Sequence, residues 1–229
     1  MRALAAALLL LAAVAQAKEV ALDVGHSIAS RGATSARGVP EFEYNRALAL
    51  EVAAALAKAG LRVRPIGAAG DVLDLESRPR AALGADLFIS IHHDSVKERL
   101  LEAWQHEGEP RRYNDGVSGF SLFVSRENPR LAASLACASA IGRVLRANGF
   151  APSRYHADAV LGESREFADE VNGVHYFDHL AVLRHARMPA LLFEAGVIVN
   201  RDEELRMRDP GVKQAIAGAL AQGVGQCLN

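Results

Sequence analysis

Two histidines and two glutamates occupy positions in this sequence where polar side chains could do chemistry together. His26, His92 and Glu194 each closely follow a short apolar segment that predicts a buried strand. Glu41 lies where a longer helical pattern begins, so its carboxylate would face the positive end of a helix dipole. The carboxyl ends of strands in an open α/β sheet share one edge, so these distant residues can converge. Two imidazoles and one carboxylate form a known zinc set that leaves a position for water.

The residue types leave some choices open. His92 and His93 are adjacent, and because successive side chains of an extended segment point to opposite faces, only one of them should reach a metal. Glu43 is close enough to Glu41 to compete for the same role. A single histidine at a strand end is more often a hydrogen-bonded structural residue. Glu194 is harder to explain in that way. A carboxylate at the end of a buried strand loses solvation, and it is normally kept only where it has a binding partner or a functional role.

The elements that would position these residues alternate between short apolar runs and longer amphipathic ones. This pattern predicts a single α/β domain with a mostly parallel twisted sheet, helices on both faces and a metal site at the carboxyl ends of the strands. Two polar excursions interrupt the pattern, at residues 96–118 and 152–178. The predicted strands are residues 20–24, 61–66, 86–91, 120–124, 180–183 and 190–193, and the predicted helices are residues 48–59, 77–83, 131–148 and 212–224.

Residues 1–17 resemble a secretory signal peptide. Arg2 precedes an unbroken apolar run at 3–14, and Ala15-Gln16-Ala17 matches a small-x-small cleavage site. The run is too short to span a bilayer, so we expect no stable membrane anchor. We therefore expect residues 18–229 to act in the periplasm or outside the cell. An oxidising compartment would let Cys137 and Cys227 pair, although each could equally be a small buried apolar residue.

Composition excludes several classes of protein. The chain has 229 residues, of which 50% are hydrophobic and 23% charged, and its 26 Lys and Arg nearly balance its 27 Asp and Glu. General disorder is therefore excluded, and the electrostatic footprint of a nucleic-acid-binding protein is missing. The sequence also lacks a G-x-S-x-G elbow, a Walker loop, a dinucleotide fingerprint and H-E-x-x-H. We expect a monomer whose substrate is neither a nucleotide nor a nucleic acid.

Four segments resemble, in order, the zinc-dependent N-acetylmuramoyl-L-alanine amidases, the family that includes the bacterial cell-division amidases. The resemblance covers about residues 19–226. The segments are Val-Ala-Leu-Asp-Val-Gly-His at 20–26, Glu-Phe-Glu-Tyr-Asn-Arg-Ala-Leu at 41–48, Asp-Leu-Phe-Ile-Ser-Ile-His at 86–92, and Met-Pro-Ala-Leu-Leu-Phe-Glu-Ala-Gly at 188–196.

The resemblance implies that His26, Glu41 and His92 bind Zn²⁺ and that Glu194 is the catalytic glutamate. The spacing to Asn45 selects Glu41 over Glu43, and the Ser-Ile-His order selects His92 over His93. One departure concerns the first motif, where the family usually reads Asp-Pro-Gly-His-Gly-Gly and residues 23–28 here read Asp-Val-Gly-His-Ser-Ile. The loop after the first histidine therefore differs from the family pattern.

The implied reaction is hydrolysis of the amide between N-acetylmuramic acid and L-alanine in peptidoglycan. Two alternatives stay open: a periplasmic zinc hydrolase of small N-acyl amino acids or peptides, and an inactive peptidoglycan-binding module. Some division amidases also carry an insertion that places a carboxylate on the zinc until a protein activator displaces it. Glu163, Glu166 and Glu170 lie in a comparable insertion, although a surface loop or a groove wall is the simpler interpretation. No zinc role is expected for the additional histidines, which are His156, His175, His179 and His185.

Overall fold

The computed structural model describes residues 17–228. The signal peptide predicted for residues 1–17 lies, apart from its last residue, outside the described part of the chain. The strands are β1 (Glu19–Val24), β2 (Arg62–Ile66), β3 (Leu87–Asp94), β4 (Glu102–His106), β5 (Glu109–Tyr113), β6 (Ser121–Val124), β7 (Phe167–Asp169), β8 (Val174–Tyr176) and β9 (Ala190–Val197). The helices are α1 (Glu41–Lys58), α2 (Ser77–Ala81), α3 (Leu131–Ala147), α4 (Ala181–Arg184), α5 (Arg201–Arg208) and α6 (Pro210–Leu228).

Seven of the strands form one sheet in the order β2-β1-β3-β9-β6-β8-β7. β2, β1, β3 and β9 are parallel neighbours, whereas β6 runs antiparallel to β9. The apolar runs of β1, β3 and β9 are buried on both faces, as expected for central strands of a parallel sheet. The predicted mostly parallel α/β sheet is confirmed.

Helices cover both faces of this sheet. On one face, α1, α3 and α6 pack on a large core that includes Leu22, Ile89 and Phe193. On the other face, α2 and α4 border a smaller core around Phe88 and Phe123. Side chains alternate between the two cores along each strand, so every second residue of β3 and β9 lies on the face of α2 and α4. His92 of β3 and Glu194 of β9 lie on that face.

Several sequence-based assignments are corrected by the structure. Residues 180–183, predicted as a strand, contribute instead to helix α4, because a short apolar run does not distinguish the two. The 152–178 excursion supplies the strands β7 and β8, which extend the central sheet beyond β6. The helix α5 was not predicted, since its largely charged sequence has no apolar stripe. His92 and Glu194 lie within β3 and β9 rather than after them.

The 96–118 excursion is built around an antiparallel hairpin of β4 and β5. The hairpin contacts the segment that leads into α1. The indole nitrogen of Trp104 donates a hydrogen bond to the carbonyl oxygen of Ala36 at 3.0 Å. The guanidinium groups of Arg37 and Arg201 lie 5.6 and 5.2 Å from the centre of the Trp104 ring. The excursion is therefore docked on the domain at the same edge of the sheet as the polar residues.

Cys137 of α3 and Cys227 of α6 form a disulfide. The bond joins two neighbouring helices on one face of the sheet and closes a separation of 90 residues. Of the two interpretations left open by the sequence, pairing is therefore the correct one. Within residues 17–228, no helix combines the length and the apolar character needed to cross a bilayer.

Candidate metal centre

Three side chains converge at the carboxyl edge of the sheet. His26 follows β1, Glu41 is the first residue of α1, and His92 lies near the end of β3. The Nε2 atom of His26 is 3.0 Å from Oε2 of Glu41, and Nδ1 of His92 is 3.0 Å from Oε1 of the same carboxylate. One donor atom from each residue lies within 4.8 Å of the others. The three residues singled out from the sequence are thus brought together by the fold.

The cluster has the composition and the packing of a metal site. Two imidazole nitrogens and a carboxylate are ligands that zinc commonly takes in hydrolases. Gly25 and Gly32 lie so close to the cluster that a Cβ atom on either would overlap its rings. Only a glycine permits this approach at Gly32, where the backbone φ is +75°. The residues present therefore fit a single divalent ion.

Glu41 is oriented by hydrogen bonds from its surroundings. The backbone N–H of Ala33 donates to Oε2 at 3.0 Å, and the side-chain amide of Asn45 donates to Oε1 at 3.1 Å. Burial raises the pKa of Glu41, but hydrogen bonds and charge from His26 and His92 outweigh it and hold the pKa well below its usual value. The carboxylate is therefore ionised, as a metal ligand must be.

The side chains of His93 and Glu43, which the sequence left as alternatives to His92 and Glu41, do not belong to the cluster. His93 is buried, its Nδ1 lies 2.8 Å from Oδ1 of Asn45, and burial lowers its pKa to about 3. His93 is therefore neutral, and its ring supports the residue that orients Glu41. Glu43 is exposed and borders a separate cavity with Tyr44. The alternation along β3 thus separates the two histidines, and the helical turn separates the two glutamates.

Glu194 lies directly beside His92, as the register between β3 and β9 pairs the two residues. Its Oε2 atom is buried and has no hydrogen-bond partner within residues 17–228. Burial raises the pKa of Glu194 well above its usual value, and the negative charges of Asp94, Glu41 and Glu163 raise it further. A carboxyl group with a raised pKa beside a cluster that could bind a metal is suited to exchange protons.

A buried ion pair borders this site and was not predicted from the sequence. Nε2 of His156 lies 2.6 Å from Oδ2 of Asp94, and Nδ1 lies 3.1 Å from Oε2 of Glu163. Burial lowers the pKa of His156, but the two carboxylates raise it to about 9 in total. The charged ring therefore fastens the 152–178 excursion to the end of β3. Only the polar character of the excursion hinted at such a role.

The three glutamates of that excursion pair away from the metal cluster. Glu163 contacts His156, Glu166 lies 2.9 Å from Nη1 of Arg126, and Glu170 forms an ion pair with Arg154 that is exposed to solvent. In the described conformation, none of these carboxylates belongs to the cluster of His26, Glu41 and His92. In this conformation the excursion therefore places none of these three carboxylates on the cluster.

The fold and the site together define an α/β domain whose sheet edge carries two histidines and one glutamate that could bind a metal. The family model for N-acetylmuramoyl-L-alanine amidase matches residues 20–226. The chain belongs to this family.

Individual relatives agree with this membership. The chain is 23% identical over 211 residues to a protein of Staphylococcus aureus described as a probable cell wall amidase LytH, with 91% of this chain and 58% of LytH covered. The chain thus spans 58% of the length of these curated relatives. The catalytic domain of CwlV, an N-acetylmuramoyl-L-alanine amidase from Bacillus (Paenibacillus) polymyxa var. colistinus, is 25% identical, with a TM-score of 0.68, and 91% of this chain and 97% of that one are covered. Ami1 from Mycobacterium smegmatis has the same fold, with a TM-score of 0.72, 22% identity, and coverage of 92% and 96%.

Proposed function

We propose that this protein is a zinc-dependent N-acetylmuramoyl-L-alanine amidase that hydrolyses the bond between the lactyl group of N-acetylmuramic acid and L-alanine in peptidoglycan. The observation that carries the proposal is the cluster of His26, Glu41 and His92 with Glu194 in register beside it. When bound there, Zn²⁺ would polarise the lactyl carbonyl and lower the pKa of a water molecule. Family membership supports the choice of substrate.

Glu194 is the general base in this mechanism. Its carboxylate takes a proton from the attacking water, whose oxygen bonds to the lactyl carbonyl carbon. The carbon–nitrogen bond then breaks, and Glu194 returns the proton to the departing amine of L-alanine. The lactyl group leaves as a carboxylic acid. Burial of Oε2 supports this role, because a raised pKa favours holding the proton between the two transfers.

His26, Glu41 and His92 would hold the ion, and other residues keep them in place. Asn45 joins the Glu41 carboxylate to the carbonyl oxygen of Gly25, which precedes His26. These two hydrogen bonds couple the start of α1 to the end of β1. Removing the amide of Asn45 would free both ligands at once, so Asn45 supports the metal site without touching the metal itself.

Digestion of purified sacculi tests the proposal. We expect the wild-type protein to release stem peptides with a free L-alanine amine, as identified by mass analysis, and a chelator to abolish the release. Glu194→Ala should keep one equivalent of zinc while turnover falls by about a thousandfold or more. Glu170→Gln, a change at an exposed ion pair outside the cluster, is the matched control and should behave as wild type.

Other outcomes separate the alternatives. Cleavage of soluble N-acyl amino acids without attack on sacculi would identify a small-molecule hydrolase. Binding to sacculi without bound zinc and without peptide release would identify an inactive wall-binding module. Near-normal turnover by Glu194→Ala would remove Glu194 from the mechanism.

We also propose that the protein is exported, with cleavage after Ala17. The apolar run at residues 3–14 supports this proposal, and so does the disulfide between Cys137 and Cys227, because disulfides persist in oxidising compartments. The mass of the mature protein from the cell envelope would show whether residues 1–17 are removed. A protein activator stays a prediction, and a rise in sacculus digestion on adding envelope extract would support it.

A further inference from the structure

A buried ion pair on the face of α2 and α4 has no part in the proposed mechanism. Nη1 of Arg78 lies 2.7 Å from Oδ1 of Asp23, and the two side chains are only 2% and 1% exposed. Arg78 belongs to α2 and Asp23 to β1, three residues before His26. Burying a guanidinium is costly unless its donors are used, so the contacts of Arg78 indicate what it stabilises.

Most of the N–H groups of Arg78 donate hydrogen bonds to backbone carbonyl groups around His26, the first of the three proposed metal ligands. Nη1 also donates to the carbonyl oxygen of Val24 at 2.6 Å, and Nη2 donates to those of His26 at 2.5 Å and Val72 at 2.7 Å. A guanidinium presents its donors in a rigid planar fork, so one side chain fixes all three carbonyls relative to one another. These bonds hold the end of β1 against the loop before α2.

His26 needs such support because its backbone is unfavourable. Its φ of 68° lies in the left-handed region, which is sterically unfavourable for a residue other than glycine. The following turn adds a bond from the backbone N–H of Ser30 to Oγ of Ser27 at 3.0 Å. The bond from Arg78 is made to the strained residue itself. It therefore stabilises the conformation that aims the imidazole at Glu41.

The same network reaches the second histidine of the cluster. Oγ of Ser90 donates to Oδ2 of Asp23 at 2.6 Å, and Ser90 precedes His92 by two residues on β3. Arg78 and His92 line one cavity with His26 and Asp23. The buried pair thus connects both strands that present an imidazole.

We propose that Arg78 is a positioning residue for the metal centre, which holds the backbone of His26 in the ligand-presenting conformation before the ion binds. This inference rests on the metal site of the proposed function. The side chain acts through the carbonyl groups of His26 and Val24 and does not touch the ion. Asp23 neutralises the buried charge and ties it to β3 through Ser90.

Metal titration of Arg78→Lys tests the inference. Lysine keeps the charge beside Asp23, but a single ammonium cannot span the carbonyls that the guanidinium joins. We expect the dissociation constant for Zn²⁺, measured by chelator competition, to rise about 10- to 100-fold, as for other changes in groups that orient metal ligands. Arg80→Met is the matched control, because Arg80 is an exposed residue of the same helix paired with Asp74, and it should bind zinc as the wild type does.

A spectroscopic measurement distinguishes positioning from general stability. With Co²⁺ at saturation, the visible absorption of the bound ion reports its ligand geometry, and we expect an altered spectrum for Arg78→Lys. Ser90→Ala, a milder change in the same network, provides a second variant and should weaken Zn²⁺ binding to a smaller extent. A lower melting temperature with an unchanged spectrum and unchanged Zn²⁺ affinity would show a merely structural role and overturn the inference.

The outcomes separate this inference from the proposed function. If the wild-type protein binds neither Zn²⁺ nor Co²⁺, the metal site itself is wrong and the inference falls with it. If the wild type binds both ions and folded Arg78→Lys and Ser90→Ala bind them equally well, the metal site stands and only the role of Arg78 is refuted.

Discussion

The ion pair between His156 and Asp94 makes the stability of this protein depend on pH in a defined direction. The pKa of His156 rises from its usual 6.5 to about 9 in the folded state. The folded protein therefore binds this proton more tightly than the unfolded chain, so the contribution is complete below pH 6.5 and is lost as pH rises through about 9. Since each tenfold change in proton affinity is worth about 1.4 kcal/mol, the full contribution is about 3 kcal/mol. His156 is only 6% exposed, so solvent does not screen most of it.

Urea unfolding at a series of pH values measures this contribution. We expect the free energy of unfolding of the wild type to fall by up to about 3 kcal/mol between pH 6.5 and 9.5. His156→Gln, which is neutral throughout, should be less stable than wild type at pH 6 and lose this dependence, so the two curves converge near pH 10. His179→Gln, at an exposed histidine 3.9 Å from Glu127, is the control and should follow the wild type.

The difference in the free energy of unfolding between the wild type and His156→Gln cancels the pH effects that the two proteins share. The reasoning would be refuted if wild type and His156→Gln lost stability in parallel over this range. A pKa of His156 near 6.5 in an NMR titration of the folded protein would refute it equally.

Two further predictions concern covalent and metal bonds. Replacing Cys137 and Cys227 by alanine should lower the free energy of unfolding by about 4–5 kcal/mol, because the disulfide closes a separation of 90 residues, and unchanged stability in urea titrations would contradict this. Glu41→Gln should bind Zn²⁺ at least about 100-fold more weakly by chelator competition, since a carboxylate ligand with a lowered pKa is lost. Glu43→Gln, two residues along the same helix and exposed, should leave the affinity unchanged, and equal losses in the two variants would show that the charge of α1 matters rather than the ligand.

Much of the sheet could be predicted from local patterns. The runs at 20–24 and 86–91 are apolar on both faces, and their lengths fit buried parallel strands. The pattern failed where local signals were ambiguous or absent. Residues 180–183 have too few positions to show a helical period. β7 and β8 are three residues each, and they extend the sheet only because β6 offers them an edge.

The candidate site shows the same division. Polar residues placed after apolar runs pointed to His26, His92 and Glu194, and alternation along a strand predicted that His92 and His93 would diverge. The ion pairs that surround these residues could not be predicted from local sequence patterns. Arg78 and Asp23 are 55 residues apart in the chain, and His156 and Asp94 are 62 residues apart. No local period connects such residues.

The sequence by itself determined the class of fold, the family and the set of side chains able to bind a metal, because apolar strand runs, helical period and motif spacing are local properties. Only the tertiary structure decided which charges face each other in the interior. A buried charge is stable only with a partner, and the choice of partner depends on which strand ends and loops meet after packing. The left-handed backbone of His26, its support by Arg78 and the fastening of the excursion by His156 are consequences of that packing.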